Sequence, residues 1–138
     1  MSLRLFATLA LLIGLFMWIF NVNEQTGGLM TTLIAIHITS AVLVLLLSIT
    51  VLFLPAPAGG NIRALQGLTV VLAIGTMLVG YLQLQGVFDG LAAPLLHLIL
   101  ALAVVSVIET TLARQKRLNK TNKQNLSMNA QSPAQGRS

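Results

Sequence analysis

The chain has 138 residues, of which 56% are hydrophobic and only 8% are charged, and its mean hydropathy is +0.88. These values lie far from those of an ordinary soluble domain and predict an integral membrane protein. The net charge of +5 calls for no nucleic acid partner, because membrane topology and an anionic inner leaflet account for it. The absence of cysteine excludes disulfides, thiolate metal sites and cysteine nucleophiles.

Four apolar runs follow one another along the chain, at about 5–20, 29–54, 64–82 and 91–112. Each approaches the roughly 20 residues that an α-helix needs to cross the hydrocarbon core, and none alternates as a barrel strand would. The loops between them are too short to hold a domain, and short loops make sequential helices antiparallel neighbours. We therefore expect an all-α polytopic membrane protein, with an up-down-up-down four-helix transmembrane bundle over 1–113.

The charged residues predict the orientation of this bundle. Arg4, Arg63 and the six basic residues after Leu112 all lie on one side of the antiparallel bundle. The two loops on the opposite side carry only Glu24 and Asp89 as charged residues. The positive-inside rule makes the basic side cytoplasmic, which predicts a multi-pass inner (plasma) membrane protein with both termini inside. Residues 114–138 are polar and basic, and we expect them to form a disordered cytoplasmic tail.

One acidic residue lies near the inner end of the fourth run. Glu109 is followed by Thr110 and Thr111, and Arg114 is five residues further on. It is either an interfacial residue that pairs with Arg114 or a proton site within the span. The sequence favours the ion pair with Arg114.

The only two histidines of the chain lie inside apolar runs, His37 in LIAIHITSAVLVLLL and His97 in PLLHLILALAVV. An ionisable side chain within a membrane span is costly and is a functional hypothesis by default. At ~1.5 Å per residue, His37 lies about 12 Å and His97 about 9 Å below the outer face, on helices that run parallel. Because no charged residue lies at that depth, the pair favours a shared ligand over packing or hydrogen bonding between helices.

Small side chains accompany both histidines. Ala41 follows His37 by four residues and Ala101 follows His97 by four, which puts each alanine one turn further along the same helix face. The arrangement leaves room for a flat group against the helix. The third run carries a stripe at steps of four, three and four residues: Thr69, Ala73, Thr76 and Gly80. Such a stripe is either a close helix contact, the commoner case, or the wall of a cofactor pocket.

The chemistry of two facing imidazoles favours a haem over a zinc ion. Zinc takes four ligands, or three and a water, whereas a haem supplies four nitrogens and lacks only the axial pair. We therefore expect His37 and His97 to ligate the iron of haem b between apolar walls. Thr39, Ser40 or a helix carbonyl would orient the free ring N–H. A chlorin whose magnesium the histidines ligate is the open alternative.

The two His-x-x-x-Ala segments, HITSA at His37 and HLILA at His97, lie sixty residues apart. Together with LQGLTVVLAIG at 65–75, they resemble one half of haem A synthase. Members of that family are built from two four-helix bundles, each with a histidine pair from its second and fourth helices near the outer side. The catalytic half has a glutamate three residues before its helix-two histidine, where this chain has Ile34, and often a cysteine pair. The chain is similar instead to the half that holds haem b.

Three function classes follow. The first is a membrane haem b-binding protein with bis-histidine ligation, in electron relay or in the assembly of a respiratory complex such as an oxidase. The second is a cofactor-free accessory or structural subunit of a larger respiratory or photosynthetic membrane complex. The third, a haem-modifying oxidoreductase, is disfavoured by the missing glutamate and cysteines. The resemblance also implies a homodimer or another membrane-protein partner, since two copies would rebuild the eight-helix plan.

The outer loops contain no Lys or Arg that could form an ion pair with the propionates of a haem. The polar residues left for that task, besides water, are Gln83, Gln85, Asn21, Asn23 and Tyr81.

Overall fold

A computed structural model describes residues 2–19, 28–54, 61–87 and 90–131. These ranges contain four helices and no strand: α1 (Ser2–Ile19), α2 (Gly28–Phe53), α3 (Ile62–Leu84) and α4 (Ala92–Gln131). The prediction of an all-α membrane bundle is confirmed. All the helix ends agree with the predicted limits to within about one turn, except the end of α4.

Three of the helices contain segments long and apolar enough to cross a membrane: Thr31–Phe53, Ile62–Leu84 and Ala92–Met128. The apolar segment of α1, Leu3–Ile19, is shorter and lies near the lower limit of roughly 17 residues for a span. Large apolar side chains are exposed on the outside of every helix, such as Leu5, Ile36, Val71 and Ile99. This surface suits contact with lipid, as expected of a multi-pass membrane protein.

The helices form two hairpins that pack side by side. α1 packs most closely on α2 and α3 on α4, while α1 also contacts α4 and α2 also contacts α3. In the described part of the chain α2 and α4 do not pack on each other, so they face each other across one diagonal of the bundle. Any group held between α2 and α4 would therefore lie on the bundle axis.

Buried side chains are concentrated in one half of the bundle, the half that contains Arg4 and Glu109, which we name the inner half after its expected orientation. Its apolar core consists of Ala7, Val44, Val104 and Ile108. We name the other half the outer half; it consists of residues 10–19, 28–38, 74–84 and 92–102. Ala93 is the single described residue of this half whose side chain is buried. The outer half thus has no apolar core of its own among the described residues, and both histidines, which are half-buried, lie there.

The inner half also buries several polar side chains. The hydroxyls of Ser48, Thr69 and Thr111 each donate a hydrogen bond to the carbonyl four residues earlier in the same helix, at 2.7–2.9 Å. These hydroxyls are satisfied without a partner on another helix, which is how Ser and Thr are accommodated inside membrane helices. They therefore act as packing residues in the described structure.

The carboxylate of Glu109 forms an ion pair with the Arg4 guanidinium of α1, so the expected pairing with Arg114 was wrong. Residues five apart on an α-helix point about 140° away from each other and do not share a face. The antiparallel packing of α1 and α4 instead brings the first turn of α1 to the inner part of α4. The pair therefore ties the two hairpins together at the inner end.

We expect Glu109→Gln to lower the free energy of unfolding by at most about 1 kcal/mol, because exposed ion pairs contribute little. The two side chains are 49% and 45% exposed. Thermal unfolding in detergent should show equal shifts for Glu109→Gln and Arg4→Gln, and no further shift in the double variant. A larger coupling of Glu109 to Arg114 in the same double-mutant comparison would contradict this assignment.

α4 continues as a helix to Gln131, whereas the sequence was expected to become disordered from residue 114. The physical reason is local composition, since 113–131 contains no Gly or Pro and is rich in Lys, Arg, Gln, Leu and Ala, which favour helix. Most side chains from Asn119 to Met128 are exposed. Residues 132–138, the rest of the predicted tail, lie outside the described part of the chain.

Candidate cofactor site

The structure brings the two histidines together on the bundle axis. The centroids of the His37 and His97 rings are 6.0 Å apart, and the ring planes are tilted by 54°. His37 lies nine residues after the start of α2 and His97 five residues after the start of α4, which corresponds to depths of about 13 and 8 Å. The two imidazoles therefore approach each other across the gap between α2 and α4, which do not pack on each other within the described ranges.

His37 is held by the backbone of α1. Its Nδ1 atom lies 2.9 Å from the carbonyl oxygen of Ala10. A carbonyl can only accept a hydrogen bond, so a neutral His37 carries its proton on Nδ1 and its lone pair on Nε2. Of the three partners considered from the sequence, a helix carbonyl is the one observed, while Thr39 is exposed beside a shallow groove between α1 and α2.

Gly14 gives His37 access to that carbonyl. A Cβ atom at residue 14 would lie 2.9 Å from Cε1 of His37, closer than real Cβ contacts allow. Gly14 is one helical turn after Ala10, so the imidazole lies against bare backbone and reaches the Ala10 carbonyl. The position of the His37 ring therefore depends on glycine at this site.

His97 lies against α3 in the same manner. A Cβ atom at Gly80 would be 2.8 Å from Cε1 of His97, and the backbone of Thr76, one turn earlier, faces the ring. The Thr76 backbone is the hydrogen-bond partner next to Nδ1 of His97, although this contact is looser than that of His37 and falls outside strict hydrogen-bond geometry. The Thr76 hydroxyl is engaged elsewhere, with the carbonyl of Leu72 at 2.7 Å.

The two hairpins thus repeat one local arrangement. In each, a histidine of the second helix lies against a glycine of the first helix, beside a carbonyl one turn before that glycine: Ala10, Gly14 and His37, then Thr76, Gly80 and His97. The repeat gives the site an approximate two-fold character. The two copies of the arrangement differ in one respect, since the contact of His97 with the Thr76 backbone is looser than the hydrogen bond of His37 with Ala10.

The other residues predicted for the site lie around this centre. Thr76 and Gly80, predicted from the small-residue stripe, are next to His97. Ala41 and Ala101 are half-buried, one turn inward of the histidines on α2 and α4.

Sequence reasoning missed Ala10 and Gly14. A usable signal was present in α1, where Ala7, Ala10 and Gly14 recur at steps of three and four and form a stripe like that of α3. The close contact on α1 could therefore have been predicted from small-residue spacing alone.

The spacing of the rings suits a single metal between them. A metal–imidazole bond is about 2 Å long and a ring nitrogen lies about 1.1 Å from the ring centre, so two trans imidazoles have centroids about 6 Å apart. No group of three or more His, Cys, Asp or Glu side chains that could hold a metal occurs among the described residues. The two histidines could therefore supply two ligands to a metal, and any further ligands would have to come from outside this pair.

Comparison of the chain with protein-family models, with curated proteins and with solved structures finds no match.

Proposed function

We propose that this protein binds one b-type haem between α2 and α4, with His37 and His97 as the axial ligands of the iron. The observation that carries the proposal is the 6.0 Å separation of the two ring centroids, which equals the roughly 6 Å expected for imidazoles on opposite sides of one metal. A haem would supply one-electron chemistry at this position. The protein's own part is to hold the ligands and exclude water.

The packing of the outer half supports a bound planar group. Only Ala93 is buried there among the described side chains, so the described side chains form no apolar core around the two rings. A plane between α2 and α4 extends along the other diagonal, towards α1 and α3. Gly14 and Gly80 present bare backbone on those two helices, and the His37 and His97 rings lie directly against it, so the ligands are held at the backbone without bulky side chains beside them.

The tautomer of His37 also suits a ligand role. The hydrogen bond from Nδ1 to the Ala10 carbonyl leaves the Nε2 lone pair free to ligate iron. Metal-ligating histidines almost always donate their second ring N–H in this way, which fixes the orientation of the ring. The walls of the span are apolar, as a porphyrin prefers.

Polar groups for the haem propionates would come from the outer end of α3. Gln83 is half-buried there, and Tyr81 and Gln85 are exposed. Asn21 and Asn23, also expected from the sequence, lie outside the described residues. Amide and phenol groups make this end neutral, so the propionates would keep part of their hydration.

The role that we propose for the haem is electron relay or help in assembling a respiratory complex such as an oxidase. The resemblance to the haem b-holding half of haem A synthase supports this role, and Ile34 in place of glutamate argues against oxygenation of a haem substrate. The protein would work with another membrane protein or as a homodimer. Its location would be the inner (plasma) membrane, with both termini in the cytoplasm.

The proposed orientation predicts which positions an impermeant reagent can reach. Because the natural chain has no cysteine, single cysteines report position without background. We expect Gln85→Cys to react with an impermeant maleimide in intact cells, and Ser127→Cys to react only after permeabilisation, since both positions are exposed in the structure. The reverse pattern would contradict the positive-inside assignment.

Haem stoichiometry tests the proposal. The full-length protein is purified in detergent from cells supplied with a haem precursor, and its pyridine haemochrome spectrum is measured. We expect about one haem b per chain or, for a homodimer, two per dimer. A magnesium chlorin extracted from the same protein would instead support the pigment alternative.

A cofactor-free accessory subunit is the second candidate, and one observation favours it. The hydrogen bond of His37 to Ala10 already satisfies one ring nitrogen, as in a histidine that only packs between helices. Protein that stays colourless in the presence of ample haem, and that copurifies with other membrane subunits, would establish this second candidate and overturn the first.

A further inference from the structure

The second half of α4 leaves the bundle as a single helix. Thr111, which is 7% exposed, is the last buried residue of α4 in the described structure. From there the helix continues for about 30 Å to Gln131, at ~1.5 Å per residue. Most side chains from Ala113 to Met128 are exposed, so the other described helices leave this part of α4 uncovered. We name residues 113–131 the extension.

Four exposed cationic side chains share one face of the extension, because steps of three and four residues return to the same side of a helix. We name them the basic stripe: Lys116, Arg117, Lys120 and Lys123. Glu109, the one acidic residue within the described ranges, pairs with Arg4, and no Asp or Glu follows it in the sequence. The basic stripe therefore has no acidic partner in the described part of the chain.

The spacing of the basic stripe is unfavourable for a helix that stands alone in water. Lys116 and Lys120 are four residues apart, and Lys120 and Lys123 are three apart. Like charges at these spacings repel and destabilise an isolated helix, and solvent-exposed helices commonly alternate the two signs of charge. Carboxylates of another molecule placed against the stripe would remove this repulsion. An acidic partner would thus match the charge of the extension and stabilise its helix.

The extension reaches past the lipid headgroups. The headgroup layer is roughly 5–8 Å thick on each side of the bilayer, and charge is screened beyond about 8 Å at physiological ionic strength. Lys123 lies about 18 Å along the helix beyond Thr111. Leu126 and Met128, which are 70% and 59% exposed, lie more than about 20 Å beyond it. A protein surface can contact the whole of this face, whereas the leaflet reaches only its start.

We infer that the basic stripe binds a carboxylate-lined surface of another protein, with Leu126 and Met128 as apolar contacts at the end of the helix. A second copy of this chain does not fit, because it would bring an identical basic stripe and only three acidic residues in its whole length. Complementary charge directs such an encounter, and a few apolar contacts, methionine among them, add to it. The extension is separate from the histidine pair, so it would bind its partner with or without haem.

Poly-L-glutamate is the carboxylate probe for the full-length protein in phosphatidylcholine nanodiscs. A fluorophore is attached to Asn122→Cys, which lies on the side of the extension opposite the basic stripe, and fluorescence anisotropy measures binding. We expect saturable binding that weakens as salt is added, because the charges are exposed. Failure of poly-L-glutamate to bind would overturn the inference. Haem content does not enter this measurement, so either result leaves the proposed function intact.

Two matched variants, Lys120→Gln and Arg114→Gln, locate the binding face. Each removes one positive charge from α4, but Lys120 is in the middle of the basic stripe, whereas Arg114 points roughly 120° away from it. We expect Lys120→Gln to weaken the binding of poly-L-glutamate about threefold, the effect of one exposed charge pair, and Arg114→Gln to leave it nearly unchanged. Equal losses in the two variants would overturn the assignment of the stripe.

Two further measurements on the labelled protein distinguish other anionic occupants. In phosphatidylglycerol nanodiscs that carry a quencher on the lipid headgroups, we expect the emission of the fluorophore to stay unquenched. Quenching would show that the extension lies on the leaflet, and lipid would then replace protein as the occupant. Double-stranded DNA that binds more tightly than poly-L-glutamate of equal charge would likewise overturn the inference, in favour of a nucleic acid.

Discussion

Replacing either His37 or His97 by alanine is expected to leave the purified protein without bound haem, while the four helices remain inserted in the membrane. Loss of an outer-shell partner alone costs roughly 10–100-fold in metal affinity, and loss of an axial ligand costs more. The helices should persist because their insertion depends on apolar length rather than on the imidazoles. Haem content of the purified variants and their circular dichroism in detergent measure the two expectations separately.

Thr39→Ala is the matched control for His37→Ala. Thr39 is two residues away on the same helix and is exposed, so its replacement should leave haem content unchanged. The outcome that contradicts the bis-histidine site is a normal six-coordinate spectrum in both alanine variants. Loss of helicity in a histidine variant would contradict the separate claim that the fold does not need the ligand.

Gly80→Ala is expected to lower haem affinity about tenfold or more without unfolding the bundle. The new Cβ atom would lie 2.8 Å from Cε1 of His97, and the side chain can yield more easily than the backbone. The imidazole must therefore leave its position, and small displacements of metal ligands are costly. Haem titration of the variant, compared with its thermal unfolding curve, distinguishes a displaced ring from a damaged fold.

Gly75→Ala is the control on the same helix, because a Cβ atom at residue 75 meets nothing within 4 Å. Alanine favours helix over glycine by about 1 kcal/mol, so this variant should keep its haem and be at least as stable as wild type. Gly14→Ala should behave like Gly80→Ala, since its Cβ atom would meet His37 at 2.9 Å. Equal haem affinities in all three variants would show that the glycines do not position the ligands.

The sequence was sufficient for the four helices and their order, because apolar runs of membrane-spanning length have few alternative structures. It was not sufficient for the end of α4. Residues beyond 112 are polar, which suggests disorder, yet they lack Gly and Pro as far as Gln131. Composition reports whether a segment can be buried, whereas helix continuation depends on local backbone preferences.

The candidate site could be predicted in part. The depth of His37 and His97 follows from helix rise, which is a fixed quantity, and the structure brings the rings within 6.0 Å. The residues that contact the rings depend on how each helix is rotated about its own axis. The spacing of residues within one helix does not determine that rotation. For this reason Ala10 and Gly14 were missed, and Glu109 was assigned to Arg114 on its own helix rather than to Arg4 on a neighbouring one.

The most direct test of the central claim is the resonance Raman spectrum of the haem-loaded, full-length protein in its oxidised and reduced states. The proposed ligation by His37 and His97 predicts six-coordinate, low-spin iron in both states, with the same marker bands in every purified preparation. A five-coordinate, high-spin spectrum would contradict the claim, because it would mean that at most one of the two histidines ligates the iron.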